Sequence, residues 1–389
     1  MLKKVTYAGA QSTSFVQATR DLAALAETQV SRERVQRWTK RIGQERVAQA
    51  VHEAASYQSL PLPERRRSPT CQVPQVACIE MDGGRLQVRA RCRAAQSVDD
   101  SSGYWRESLV GCLSSMASRE HPQDPCPRLP ATFADPLGIG KLSREIKGFS
   151  STTDPVEEPG EASSDDRVER PRPLVRSVVA TRQGLEVFGE RLAAAAHARG
   201  FHAARRKAFV ADGAASNWSL HQRHFSQYVP VLDFTHAICY VYQAAIAGRP
   251  GEPGWKDYRR WAQWLWEGET ETLISAVAAR AAELGDPIEG DAETSPRQIV
   301  AKTLGYLRNQ RSRMRYAEYR RMGLPITSSH VESTIKQINR RVKGTDKFWD
   351  HGAEPILQLA ADYLSETRDL QAFWKSRPKR LQPMRQTTK

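Results

Sequence analysis

Residues 76–93 read VACIEMDGGRLQVRARCR, and the way this stretch folds decides how the rest of the chain is read. Val76 to Asp82 is an apolar run of strand length, and Gly83-Gly84 has the composition of a tight turn. Arg85 to Arg93 alternates polar and apolar residues with period two. The pattern predicts a β-hairpin with Asp82 at its mouth. Tyr104–Leu113, YWRESLVGCL, supplies a third strand of weaker alternation.

Upstream, Pro61, Pro63, Pro69 and Pro74 bracket Arg65-Arg66-Arg67 and mark a linker. Before it, helical patterning over residues 14–55 predicts a short helix at Asp21-Leu-Ala-Ala-Leu-Ala. A second helix is expected from Arg32 to Gly43, with Ser31 as N-cap. The pair, whose second member reads SRERVQRWTKRIG, looks like a helix-turn-helix, although a plain surface hairpin has the same pattern. Residues 1–67 hold twice as many basic as acidic residues, so Arg32, Arg34, Arg37, Lys40 and Arg41 are candidate DNA contacts.

Downstream, residues 150–173 are rich in Ser, Asp, Glu and Pro and read as a flexible acidic insertion. A helix is expected from Leu174 to about Arg199. The apolar run Ala208–Ala211 then ends at Asp212-Gly213. Val229–Phe234 reads as a short buried strand leading into a helix over Ala237–Ala247, and everything periodic from Trp255 to about Arg321 is helical. Closing helices fall near Ser329–Val342 and His351–Leu364, with a basic tail behind them.

The chain thus divides into a helix-turn-helix module with linker (1–67), a first catalytic part (74–149), the acidic insertion (150–173) and a second catalytic part (174–250). A helical insertion (251–325), C-terminal helices (326–366) and the tail (367–389) follow. The succession strand, strand, strand, helix, strand, helix, strand, then helices, with acids ending the first and fourth strands, is similar to the ribonuclease H-like plan. The expected class is therefore α/β: a ribonuclease H-like catalytic domain with a helical insertion, plus the N-terminal helical module.

The chain has 389 residues, enough for two or three domains at roughly 100–200 residues each. Its 58 Lys+Arg against 44 Asp+Glu give a net charge of +14, which favours a polyanionic partner, nucleic acid before membrane. No run approaches the roughly 18 apolar residues of a membrane span, and MLKKVTYAGAQSTSF lacks a signal-peptide core. A cytoplasmic protein, nucleoid-associated when bound to DNA, is expected. Six cysteines without a C-x-x-C pair give no zinc ribbon and are expected to be small, half-buried apolar residues.

Phosphodiester cleavage and strand transfer need an activated nucleophile and a stabilised pentacovalent charge, which two divalent ions about 3.5–4 Å apart supply. Hard Mg²⁺, or Mn²⁺, calls for converging carboxylates. Asp82 and Asp212, each ending an apolar run, would lie side by side on neighbouring strands, with Glu332 reaching them from a helix. Taken singly, an Asp-Gly pair is also an ordinary turn, and a helical Glu is ordinarily solvated.

Six blocks raise the reading above that level: ACIEMDGGRLQVRAR (77–91), YWRESLVGCL (104–113), PRLPATFADP (127–136), KAFVADGAASNW (207–218), VPVLDFTHAICYVYQAA (229–245) and HVESTIKQINRRVKGTDKFWDHGAEPILQLAADYLS (330–365). In this order they resemble successive blocks of bacterial DDE transposases of the ISKra group, relatives of the Mutator-like superfamily, from about residue 20 to 366. The resemblance implies that Asp82, Asp212 and Glu332 are the catalytic, metal-holding acids, and that Asp233-Phe-Thr-His236 corresponds to the Mutator-like Cys/Asp-x-x-His mark. It also likens residues 250–325 to the helical insertion before the last acid. Ser328-Ser-His-Val331 departs from the Gly-Ser-Gly-like lead expected there, and no cysteine precedes Cys71.

Asp233 and His236 support the site either as metal ligands with Cys239 or as a pair in which Asp233 accepts from the imidazole and orients the helix start. Trp218 either stacks on a splayed base or packs in the core. Lys336, Arg340 and Lys343 follow Glu332 at helical spacing as candidate DNA contacts. Arg308 to Arg321, interleaved with Tyr306, Tyr316 and Tyr319, suits a DNA groove or a solvated face. The expected activity is that of a transposase acting as a homo-oligomer on double-stranded DNA, both terminal inverted repeats and target. The rival readings are a non-catalytic or decayed transposase-derived DNA-binding protein and a ribonuclease H-like nuclease.

Overall fold

In the computed structural model, Val76–Gln87 is one unbroken strand, β1. The described residues are 1–70, 72–87, 105–146, 170–249, 251–343, 349 and 352–380. The expected turn at Gly83-Gly84 is therefore corrected: both glycines lie inside β1, and Asp82 is a mid-strand residue rather than one at a hairpin mouth. The reason is steric. A Cβ on Gly84 would stand 3.1 Å from Ser108 Oγ on β2 (Trp105–Ala117), so the glycine serves close approach between strands. Most of the expected second hairpin strand, residues 88–93, lies outside the described residues, as does the acidic stretch 150–169.

The other strands are β3 (Arg172–Thr181), β4 (Arg206–Ala211) and β5 (Val229–Leu232). The sheet order is β3-β2-β1-β4-β5, and with its many helices the protein is α/β. β3 corrects a second expectation, that of a helix beginning at Leu174. The segment RPLVRSVVAT is rich in β-branched valines and is buried at Ser177, Val178, Ala180 and Thr181, which suits a pleated surface. The helix α7 (Leu185–Ala198) starts only after Gly184.

The chain forms two compact units, Met1–Ser115 with Pro173–Ala204 and Ser329–Lys389, and Met116–Arg172 with Arg205–Ser328. The first holds α1 (Leu2–Gln11), α2 (Phe15–Ala26), α3 (Arg32–Ser59) and α4 (Leu62–Arg66), together with α7, α14 (Ser329–Val342), α15 (Ala353–Leu364) and α16 (Asp369–Arg380). Ser31 caps α3 as expected, accepting from the Arg34 N–H at 3.4 Å. The helix does not stop at Gly43. That residue sits where α3 crosses α15, and a Cβ there would be 2.4 Å from the Pro355 carbonyl oxygen. Ala10 of α1 and Ile42 of α3 share a buried cluster with Leu359 of α15 and Phe373 of α16, so residues 1–67 and part of the expected tail contribute to one core.

A larger core joins Leu86, Val110 and Val178 of the strands to Val331, Ile335 and Ile338 of α14 and Ile356 and Leu357 of α15. Each such side chain contributes about 1.5–3 kcal/mol by burial. Two buried ion pairs, Arg46–Asp362 at 2.8 Å and Arg191–Glu354 at 3.0 Å, lie in the same unit.

The second unit holds α5 (Ala131–Ala134), α6 (Pro136–Ile146), β4, α8 (Ala215–His224), β5 and α9 (Phe234–Ile246). It continues with α10 (Glu252–Glu267), α11 (Thr270–Leu284), α12 (Pro296–Gln310) and α13 (Tyr316–Arg321), helical as read. β4 and β5 run parallel, Ala208 opposite Val229 and Ala211 opposite Leu232. Tyr319 and Tyr316 donate their hydroxyls to Pro230 O (3.2 Å) and Leu232 O (3.0 Å), carbonyls two residues apart on β5. Arg320 is buried on Asp124 and over the Trp266 ring. The tyrosines between the arginines thus face inward, and a DNA groove lined by alternating rings and cations is not formed by Tyr316 and Tyr319. Among the described residues, no helix is long and apolar enough to cross a membrane.

Candidate functional site

In the first unit, alternation along β1 puts Cys78, Glu80, Asp82, Gly84 and Leu86 on one face. That face carries α14. Glu80, fully buried, accepts the Val331 N–H on Oε2 at 3.0 Å. A Cβ on Gly84 would stand 3.9 Å from Ile335 Cγ2. Half-buried Asp82 lies between these two points of contact, on the side of the strand that meets the first turns of α14. Glu332, also half-buried, follows Val331 in the first turn, where the positive end of the helix dipole favours a carboxylate. Asp82 and Glu332 therefore belong to facing elements of one unit.

Sequence reasoning missed Glu80. The signal was present, a carboxylate inside an apolar strand two residues before Asp82, and its role is to fix the start of α14 through a charge-assisted hydrogen bond. The Cys78 thiol donates to Glu80 Oε1 at 3.8 Å, and burial, then the carboxylate, push its pKa well up. Burial, followed by the same charge, pushes Cys112 to about 12. Both behave as protonated core thiols, and Cys239 is buried as well.

In the second unit, Asp212 follows directly on β4. Its Oδ1 accepts from the Ala214 N–H at 3.0 Å and Asn217 Nδ2 at 2.7 Å, and Oδ2 takes no hydrogen bond from the described residues. Its carbonyl accepts the Tyr306 hydroxyl at 2.9 Å, and the Gly213 carbonyl accepts Gln310 Nε2 at 2.9 Å. Gly213 has φ of +99°, a conformation that favours glycine. Trp218 is 9% exposed, packs on Phe209, and carries the Arg313 guanidinium 4.4 Å from its ring centre. It is a core residue with its face occupied, not a base-stacking platform.

Asp233 is completely buried and caps α9. One oxygen accepts the N–H groups of Thr235 (2.6 Å) and His236 (3.4 Å), and the other accepts the N–H (2.9 Å) and hydroxyl of Ser328. The helix start is thus oriented through backbone donors. The His236 ring stands 3.6 Å away through Nδ1, beyond a good hydrogen bond. Burial alone would raise the Asp233 pKa, but the neighbouring imidazole and the Ser328 hydrogen bonds outweigh it and hold the carboxyl below its ordinary 3.8. Five approaches to two oxygens make Asp233 a staple between α9 and the segment at Ser328, and Asp212 is the more open of these two carboxylates.

The candidate DNA contacts on α3 are displayed to solvent. Arg32, Arg34, Arg37 and Arg41 are exposed and Lys40 half-buried. Arg32 pairs with Glu33 and Arg41 with Glu45, while Arg34 lies over Trp38. On α14, Lys336, Arg340 and Lys343 are exposed. No protein-family model matches the chain, and no curated protein matches it.

Proposed function

We propose that this chain is a DDE-type transposase that binds element-end inverted repeats in double-stranded DNA and catalyses metal-dependent strand cleavage and strand transfer. The observation that carries the reading is the apposition of β1 and α14, which brings the Asp82 side of the strand to the first turns of the helix bearing Glu332. The succession β1, β2, β3, α7, β4, α8, β5 supports a ribonuclease H-like catalytic core, and α10–α13 form the helical insertion of that plan.

The donor chemistry fits Mg²⁺ or Mn²⁺. Asp82, Asp212 and Glu332 offer hard carboxylate oxygens, all three are partly accessible, and Asp212 keeps one oxygen clear of hydrogen bonds from the described residues. On this reading these carboxylates would hold divalent ions, which would supply nucleophile activation and charge stabilisation at the leaving oxygen. The protein's own contribution is placement. Glu80 fixes α14 against β1, the 213–214 turn and Asn217 orient Asp212, and Asp233 with Ser328 anchors the chain leading into α14. The exposed cations of α3 and α14 take phosphates of the DNA backbone, which hold register without reading bases. The working complex is a homo-oligomer at the element ends, in the cytoplasm.

The test is cleavage of element-end and random duplexes with Mg²⁺ or Mn²⁺ by Asp82→Asn, Asp212→Asn and Glu332→Gln, alongside DNA binding. Each variant should lose several kcal/mol of transition-state stabilisation while retaining end binding. Wild-type cleavage by any variant removes that residue from the site. End binding without cleavage by the unsubstituted chain would instead identify a DNA-binding descendant of a transposase.

A further inference from the structure

We propose that Tyr306 and Gln310 of α12 are positioning residues for Asp212, through which the helical insertion sets the metal affinity of the second acid. The inference rests on the reading of Asp212 as a metal ligand and adds to it two residues that never touch the metal.

Two consecutive carbonyls, those of Asp212 and Gly213, each receive one hydrogen bond from α12, from the Tyr306 hydroxyl and from Gln310 Nε2, both at 2.9 Å. Carbonyls just past a strand end would otherwise be left to water or to turn hydrogen bonds. Their capture by side chains fixes the two peptide planes and hence the direction in which the Asp212 side chain leaves the backbone.

The turn cannot relax by moving toward α12. Gly213 is at positive φ, and a Cβ on it would be 2.9 Å from Tyr306 Cε2. Tyr306 is itself held by a stacked Tyr240 ring at a centroid distance of 4.0 Å. Gln310, 5% exposed, accepts from Arg313 Nη1 at 2.9 Å, and Arg313 lies on Trp218, so its amide orientation is fixed from behind.

Side chains that hold a ligand from behind typically change metal affinity by about 10–100-fold when removed. Tyr306→Phe deletes one hydroxyl and keeps the stack on Tyr240. Gln310→Met deletes the donor at similar volume. The experiment titrates Mn²⁺ into the full chain by electron paramagnetic resonance, with DNA cleavage as a function of Mn²⁺ run in parallel and Asp212→Asn as reference. The binding arm needs no catalytic turnover.

Asp212→Asn should weaken Mn²⁺ binding and abolish cleavage at any metal concentration. Tyr306→Phe and Gln310→Met should each weaken Mn²⁺ binding by about tenfold, with excess Mn²⁺ restoring cleavage and with DNA binding unchanged. If Asp212→Asn behaves as stated while both α12 variants bind Mn²⁺ like the unsubstituted chain, the positioning proposal is overturned and the catalytic reading stands. Unchanged Mn²⁺ binding and cleavage in Asp212→Asn overturns the catalytic reading, and the positioning role falls with it.

Discussion

Replacing Asp233 by Ala removes the acceptor for four donors in a site the structure shows to be fully buried. Loss of the α9 cap costs about 1 kcal/mol. The Ser328 N–H and hydroxyl, on a residue only 3% exposed, are left without their acceptor at about 1–2 kcal/mol each, the lower part of the usual range because the two share one oxygen. The expected loss is about 3–5 kcal/mol. Asp233→Asn keeps an acceptor for the cap but presents an NH₂ group toward Ser328, so it should lose about half as much. The pH dependence has a definite sign. A carboxyl held below 3.8 in the folded state contributes stability that is fully present above that value and is lost as pH falls through the lower folded pKa. Urea unfolding of the full chain, followed by circular dichroism at pH 7 and at steps down to pH 3, should show the gap to Asp233→Ala constant at neutral pH and narrowing below 3.8. A loss under about 1 kcal/mol at pH 7, the size of a single surface cap, would refute the claim that Asp233 staples α9 to the segment leading into α14.

Four further outcomes follow from particular contacts. Gly43→Ala should cost about 1–3 kcal/mol by overpacking α3 against the Pro355 backbone, read as a lowered melting temperature; a neutral effect would deny the close crossing. Tyr316→Phe should cost about 1–3 kcal/mol by leaving the buried Leu232 carbonyl without its donor, again in urea. Joint substitution of Arg34, Arg37 and Arg41 by Ala should weaken DNA binding, lower the slope of log K against log salt by up to ~3, and leave the melting temperature nearly unchanged, since all three are exposed. Deleting residues 1–67 outright would not isolate that effect, because α1 and α3 share a core with α15. Cys78 and Cys112 should resist an aromatic disulfide reagent at pH 8 in the native protein and react on unfolding, because burial keeps both thiols protonated.

Much of the architecture was legible from local signals. The bounds of α14, the cap at Ser31, the end of β4 at Asp212 and the helical character of α10–α13 all follow from period, caps and strand-length apolar runs, which depend on residues a few positions apart. The cations of α3 could be named for the same reason, since residue type and spacing mark them, whereas Asp82, Asp212 and Glu332 stood out together only through the resemblance of six ordered blocks. What local signals misjudged was set by distant neighbours. Gly83-Gly84 is a turn by composition, yet β2 packs close enough at Ser108 to make it a strand interior. Gly43 ends a helix by propensity, yet α15 passes so near that only glycine fits within one. Tyr306, Tyr316 and Tyr319 look like surface aromatics among arginines, but carbonyls some 84–94 residues away in sequence take up their hydroxyls. The sequence by itself determined which segments are helix and strand over most of the chain and where the charged side chains fall along them. Only the tertiary structure decided that Glu80 locks α14 onto the Asp82 face and that α12 holds the Asp212 turn, because a hydrogen bond between residues far apart in sequence leaves no period for the sequence to display.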